Sequence, residues 1–129
     1  MPIEIQDLVC SVALLIIIIL IQASAGVLQK GALKMLGNRD DVTPLTGWAA
    51  RAQRCEDNQV VSLVLFAPLA LATVLLKQAD NWSALGSTIY LYGRVGFAAC
   101  YLIGIPYLRT ACWLAGMAGI VLVGYSLYV

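Results

Sequence analysis

The sequence predicts an all-α integral membrane protein, a four-helix up-down bundle, and three observations carry that expectation. Of its 129 residues, 61% are hydrophobic and only 12% are charged, and the mean hydropathy is +0.87. A chain this small cannot enclose so much apolar surface within itself, so its solvent is lipid. The charges lie mostly between four apolar blocks, and the connections are short, which makes consecutive helices antiparallel neighbours. The length allows one domain, 1–129, with four crossings and no added soluble domain.

The first helix is expected over about 5–36. Its block Leu8–Ile21 has no charged residue and continues uncharged through Leu28, about 20 residues, roughly enough to cross a ~30 Å hydrocarbon core. Ala23-Ser24-Ala25 resembles a signal-cleavage site, but Met1–Asp7 holds Glu4 and Asp7 and no Lys or Arg, so the segment is expected to remain as a membrane helix. Gly37-Asn38-Arg39-Asp40-Asp41 reads as a polar turn, after which Thr43 or Thr46 is placed to cap the second helix, about 48–76. That helix has a polar first third, a lipid-compatible remainder, and Pro68 inside it, where a kink is expected. Lys77–Asn81 turns into a third helix, about 82–103. Gly104-Ile105-Pro106 breaks it, and a fourth follows over about 107–128.

Charge asymmetry orients the bundle. Lys30, Lys34, Arg39, Arg51, Arg54 and Arg109 flank two of the connections, whereas the opposite side has only Lys77 among basic residues. The positive-inside rule places both termini on the non-cytoplasmic side, and a bacterial inner membrane is the expected location.

Several function classes are disfavoured. A net charge of +1 without a basic run gives no footing for nucleic acid. The four cysteines fall one to a helix with no CxxC pair, and read as buried structural thiols rather than as metal ligands or disulfides. The absence of histidine removes the commonest general base and metal ligand. A proton-coupled exporter needs a membrane-embedded carboxylate, and the first helix offers none beyond Glu4 and Asp7.

Polar residues at membrane depth need a reason. At about 100° per residue, Arg51, Arg54, Asn58 and Ser62 fall within an arc of about 80°. On the third helix Tyr90, Arg94, Phe97 and Tyr101 form a second stripe, with Gly93, Gly96 and Gly104 permitting close helix approach. A lone guanidinium mid-helix costs at least ~2.5 kcal/mol, so Arg94 is expected to face a carboxylate, Glu56 or Asp57. For Arg51, Arg54 and Asn58 two readings stand: a snorkelling interfacial face, or a cationic pocket for a carboxylate-bearing ligand, which guanidinium grips in a fork. Trp48, Trp82 and Trp113 read as interface anchors.

The run Gly37-Asn-Arg-Asp-Asp, then Thr46-Gly-Trp-Ala-Ala-Arg-Ala-Gln-Arg54 with Asn58 four residues on, resembles the MAPEG family, membrane-associated proteins in eicosanoid and glutathione metabolism. So does Tyr92-Gly-Arg-Val-Gly-Phe through Tyr101-Leu-Ile-Gly-Ile-Pro-Tyr-Leu-Arg109-Thr, followed by Trp113. The resemblance covers essentially the whole chain and is strongest to bacterial members. It implies a homotrimer with glutathione sites between protomers near the cytoplasmic face, acting as a transferase or peroxidase on lipophilic electrophiles. It also implies roles: Arg54 and Asn58 as ligand anchors, Tyr101 as lining, Lys30 as a further basic contact, and Arg109 as stabiliser of the thiolate; Arg51 is a binding candidate through its place in the cationic stripe. The chain departs from the family pattern where a glutamate is usual and Val61 stands, and at Ser62 and Phe97. Those departures support an alternative: a non-catalytic MAPEG-fold subunit of a larger membrane complex.

Overall fold

The computed structural model describes residues 1–129, and its ordered elements are all helical. In chain order they are α1 (Ile3–Lys30), α2 (Ala32–Leu36), α3 (Gly47–Leu75), α4 (Asn81–Ile103) and α5 (Pro106–Ser126). Three of them, α1, α3 and α5, are long and apolar enough to cross a membrane. The fourth long helix, α4, has 23 residues and carries Arg94 in its middle.

The expected first helix is divided. Gly31 sits at φ 92°, a conformation that glycine tolerates and that ends the α-helical path, so α1 stops at Lys30. The single turn α2 folds back with Met35 against Gly26, where a Cβ would lie 2.8 Å from the Met35 methyl. The loop that follows is held by side chains of α1. Gln29 accepts from the Thr46 backbone N–H at 2.9 Å and donates to the Thr46 carbonyl at 3.0 Å, while Lys30 donates to Thr43 Oγ1 at 2.6 Å. Thr46 precedes α3 without a side-chain cap; Gln29 satisfies its backbone instead. The helix α3 then runs unbroken through Pro68.

The start of α4 is better specified. Asp80 Oδ1 accepts from the Ser83 N–H at 2.8 Å and Ser83 Oγ accepts from the Asp80 N–H at 2.9 Å, a reciprocal capping box. The end of α4 is a left-handed cap at Gly104, φ 95°, and Pro106 opens α5 where its missing N–H costs nothing.

Packing follows small residues. A Cβ on Gly119 would lie 2.5 Å from the Gly86 carbonyl and 2.6 Å from the Tyr90 nitrogen, and one on Gly93 would lie 2.8 Å from the Gly116 nitrogen. Backbone therefore meets backbone between α4 and α5, as lipid-embedded helices require when dispersion drives association. Of the glycines named from the sequence, Gly93 and Gly96 serve this contact, the latter against Cys112, and Gly104 serves the turn; Gly86, Gly116 and Gly119 complete the contact. The helix α1 packs on α3 and α4 and not on α5.

Two apolar clusters form the interior, one of Phe66, Ala70, Tyr90, Ile120 and Val123, the other of Ile18, Cys55, Phe97 and Ala98. Between α1 and α4 lies a polar seam. Glu4 accepts from Ser83 Oγ, and Asp7 accepts from Ser87 at 2.9 Å and Thr88 at 3.3 Å. Both acids are buried, and the hydroxyls of Ser83, Ser87 and Thr88 on α4 stand in for water around them. The cysteines are all free; Cys55 and Cys100 are buried, but Cys10 is exposed, against the expectation of four buried thiols.

Both termini share one end of the bundle. Glu4 meets Ser83 at the start of α4, and Ser126 and Val129 line a hollow with Lys77–Asp80. Lys30, Thr46, Tyr101 and Arg109 lie at the other.

Candidate functional site

Near that other end, Asn58, Phe97, Tyr101, Arg109, Thr110 and Trp113 line a recess of about 340 Å³. Three helices build it. Asn58 projects from the third turn of α3, Phe97 and Tyr101 from the last two turns of α4, and Arg109, Thr110 and Trp113 from the first two turns of α5. The left-handed turn at Gly104 is what brings Tyr101 and Arg109 face to face: the Arg109 guanidinium lies 4.4 Å over the Tyr101 ring, within cation–π range. Arg54 reaches the same tyrosine from α3, its Nε donating to the Tyr101 hydroxyl at 3.2 Å.

Behind the recess, Arg94 is almost fully buried. Its partners are not acids, which corrects the expectation of Glu56 or Asp57. Nε donates to Gln59 Oε1 at 2.9 Å, Nη2 donates to Asn58 Oδ1 at 2.9 Å, and the guanidinium lies 4.2 Å over the Phe97 ring. Two amide dipoles and a ring face hold this cation in place of a counter-charge. The amide of Gln59 continues inward, Nε2 donating to Ser11 Oγ at 3.1 Å, and Ser11 meets the Tyr90 hydroxyl at 3.1 Å. Ser62 belongs to this inner network, through the Gln59 carbonyl and Tyr90, and not to the recess.

Of the residues expected to share a site, the chain brings Arg54, Asn58, Tyr101 and Arg109 together. Two stand apart. Lys30 is engaged with Thr43 in the loop before α3. Arg51 packs by Gly104, where a Cβ would lie 3.8 Å from its Cζ, and its buried Nε has no hydrogen-bond partner. Trp113, read from the sequence as an interface anchor, lines the recess. Its spacing of four from Arg109 was the available signal, since i and i+4 share a helix face. No carboxylate lines the recess, and neither Arg54 nor Arg109 has an acid as partner. Val61 is exposed, 62% accessible, one turn beyond Asn58.

The family profile described as "MAPEG family" matches residues 8–128, nearly the whole chain. The chain belongs to the MAPEG family. The match spans most of α1 and all of α3, α4 and α5, so the MAPEG assignment covers every helix that contributes to the recess. Comparison with curated proteins and with solved structures gave no match.

Proposed function

We propose that this MAPEG protein is a membrane-bound, glutathione-dependent transferase or peroxidase acting on lipophilic electrophiles that enter from the bilayer. It works as a homotrimer of four-crossing protomers in a bacterial inner membrane, with both termini on the non-cytoplasmic side. The observation that carries the reading is the Arg109 guanidinium, 4.4 Å over Tyr101 at the first turn of α5, in a recess lined by no acid. A free thiol has a pKa of about 8.5, and a neighbouring guanidinium favours the thiolate, which is the nucleophile. The positive end of α5 adds to that field. The S–H proton leaves to water, the thiolate sulfur forms a bond to the electrophilic carbon as the leaving group departs to water with its bonding pair, and the charged conjugate leaves to the aqueous side. Arg54 and Asn58 anchor the carboxylates and peptide groups. Lys30 and Arg51, which lie outside the recess of a single chain, are assigned to its rim in the assembled trimer.

The alternative is a non-catalytic accessory subunit of a larger membrane complex. The engagement of the Asn58 carbonyl by Arg94 favours it, since it removes half of an expected ligand contact. Titrating the purified protein with glutathione while following thiolate ultraviolet absorbance separates the two. A saturable signal that Arg109→Ala abolishes is the outcome expected of the enzyme; no signal in either protein leaves the accessory role.

A further inference from the structure

Three charged side chains are buried in this chain, and they are not all neighbours. Glu4 and Asp7 take hydroxyls of α4 at the end that holds the termini, whereas Arg94 lies behind the recess with 1% of its surface exposed. A guanidinium in a protein stays protonated, so a full positive charge sits one side chain away from the recess. Asn58 accepts from Nη2 at 2.9 Å and the Phe97 ring lies 4.2 Å from Cζ, and both residues line that space.

The surroundings of this charge leave it uncancelled. From α3 it faces the amides of Asn58 and Gln59 and the Cys55 thiol, from α4 the Tyr90 phenol and Phe97, and from α5 the backbone at Gly116. From α1 Ser11 approaches, through Gln59. None of these is a carboxylate, and because the guanidinium is sealed within its own chain, a neighbouring copy cannot press an acid against it. Gln59 is decisive: it fills with a neutral amide the place from which a carboxylate of the same shape would pair with Nε. An amide dipole satisfies the hydrogen bonds of a cation without cancelling its charge, and a charge in a low-dielectric wall acts over several side chains' breadth. We infer that Arg94 is a positioning residue: it holds Asn58 in the wall, and its charge, left uncancelled by Gln59, joins Arg109 in favouring the ionised form of a thiol bound in the recess. This rests on the thiol reading above and deepens it, adding to the thiolate's field a second cation that the ligand never touches.

The test is a pH titration of thiolate absorbance at saturating glutathione, with S-methylglutathione as the blank, on the purified full-length parent, Gln59→Glu and Arg94→Gln. Both substitutions lower the charge behind the recess by one, but they act oppositely on packing. Gln59→Glu keeps the shape and gives Nε a counter-ion, ionised beside a guanidinium, so the midpoint of thermal unfolding is expected to stay level or rise. Arg94→Gln removes the contacts to Asn58, Gln59 and Phe97 and is expected to lower it. The pKa of the bound thiol is expected to rise by about one unit in both variants, which leaves roughly tenfold less thiolate at a fixed pH below it. Gln59→Glu is sufficient where Arg94→Gln does not fold. A thiol pKa within about 0.3 unit of the parent's in Gln59→Glu overturns the inference and leaves the thiolate site standing on Arg109 alone. A rise in Arg94→Gln that Gln59→Glu does not share assigns Arg94 to packing and overturns it too. So does a Gln59→Glu midpoint well below the parent's, since an uncancelled buried cation gains from an acid. Absence of a saturable signal in the parent removes the thiol reading and the inference together.

Discussion

Arg94 and Gln59 face each other across the α3–α4 interface, Nε to Oε1 at 2.9 Å, and this pair joins the recess to the interior. The Gln59 amide is fully buried and bivalent: it accepts from Arg94 and donates to Ser11 on α1. Removing it takes one of the two amide acceptors from a buried cation and the amide donor from a buried hydroxyl at once. Gln59→Leu is expected to destabilise the protein by about 2–4 kcal/mol, read as a lowered midpoint of thermal unfolding in detergent. Combining it with Arg94→Met is expected to recover part of that loss, because the orphaned charge goes with it.

The glycine contact between α4 and α5 gives a second outcome. Gly119→Ala puts a methyl 2.5 Å from the Gly86 carbonyl, where neither backbone can yield without separating the helices. A cost of about 1–3 kcal/mol is expected. Gly37→Ala meets nothing closer than 3.6 Å, at a negative φ of −78°, and is expected to fall within about 0.5 kcal/mol of the parent. Thermal unfolding of the two variants side by side checks both.

The loop before α3 depends on Gln29, whose amide satisfies both backbone groups of Thr46. Gln29→Ala is expected to loosen residues 38–46 and to speed cleavage after the exposed Arg39 by trypsin severalfold. The unfolding midpoint is expected to stay within about 2 °C. Gel bands over a digestion time course report it.

Tyr101→Phe separates the two duties of that ring. The face under Arg109 remains, and the hydroxyl that accepts from Arg54 is lost. Ligand affinity is expected to fall about three- to tenfold, the worth of about 1 kcal/mol for one hydrogen bond, with thiolate absorbance at saturation retained. Loss of the saturating signal itself contradicts this division.

The helical architecture was legible because lipid-grade hydropathy and short connections leave few alternatives. The inward stripe of α4 was legible as well: Tyr90, Arg94 and Phe97 are buried and Tyr101 lines the recess, as spacings of four, three and four predict. What escaped was the identity of the partners. Weighing charge against charge pointed Arg94 at Glu56 and Asp57, yet the buried face of α3 runs Cys55, Gln59, Ser62 and Phe66. An amide on the correct face outcompetes an acid on the wrong one. The burial of Glu4 and Asp7 escaped as well, since Ser83, Ser87 and Thr88 are hydrogen-bond donors that a hydropathy scan treats as neutral filler. The break at Gly31 was illegible because a lone glycine inside an apolar run is also a common helix interior, and only its positive φ distinguishes the two.

Glu4 and Val129 both lie at the end of the bundle remote from Tyr101 and Arg109. An even number of long antiparallel helices has this result: a reporter fused at either tail sits at the end of the bundle opposite the recess. Immobilisation tags on either tail therefore leave the recess unobstructed, and a pair of reporters, one per tail, is expected to answer from one face of the bilayer.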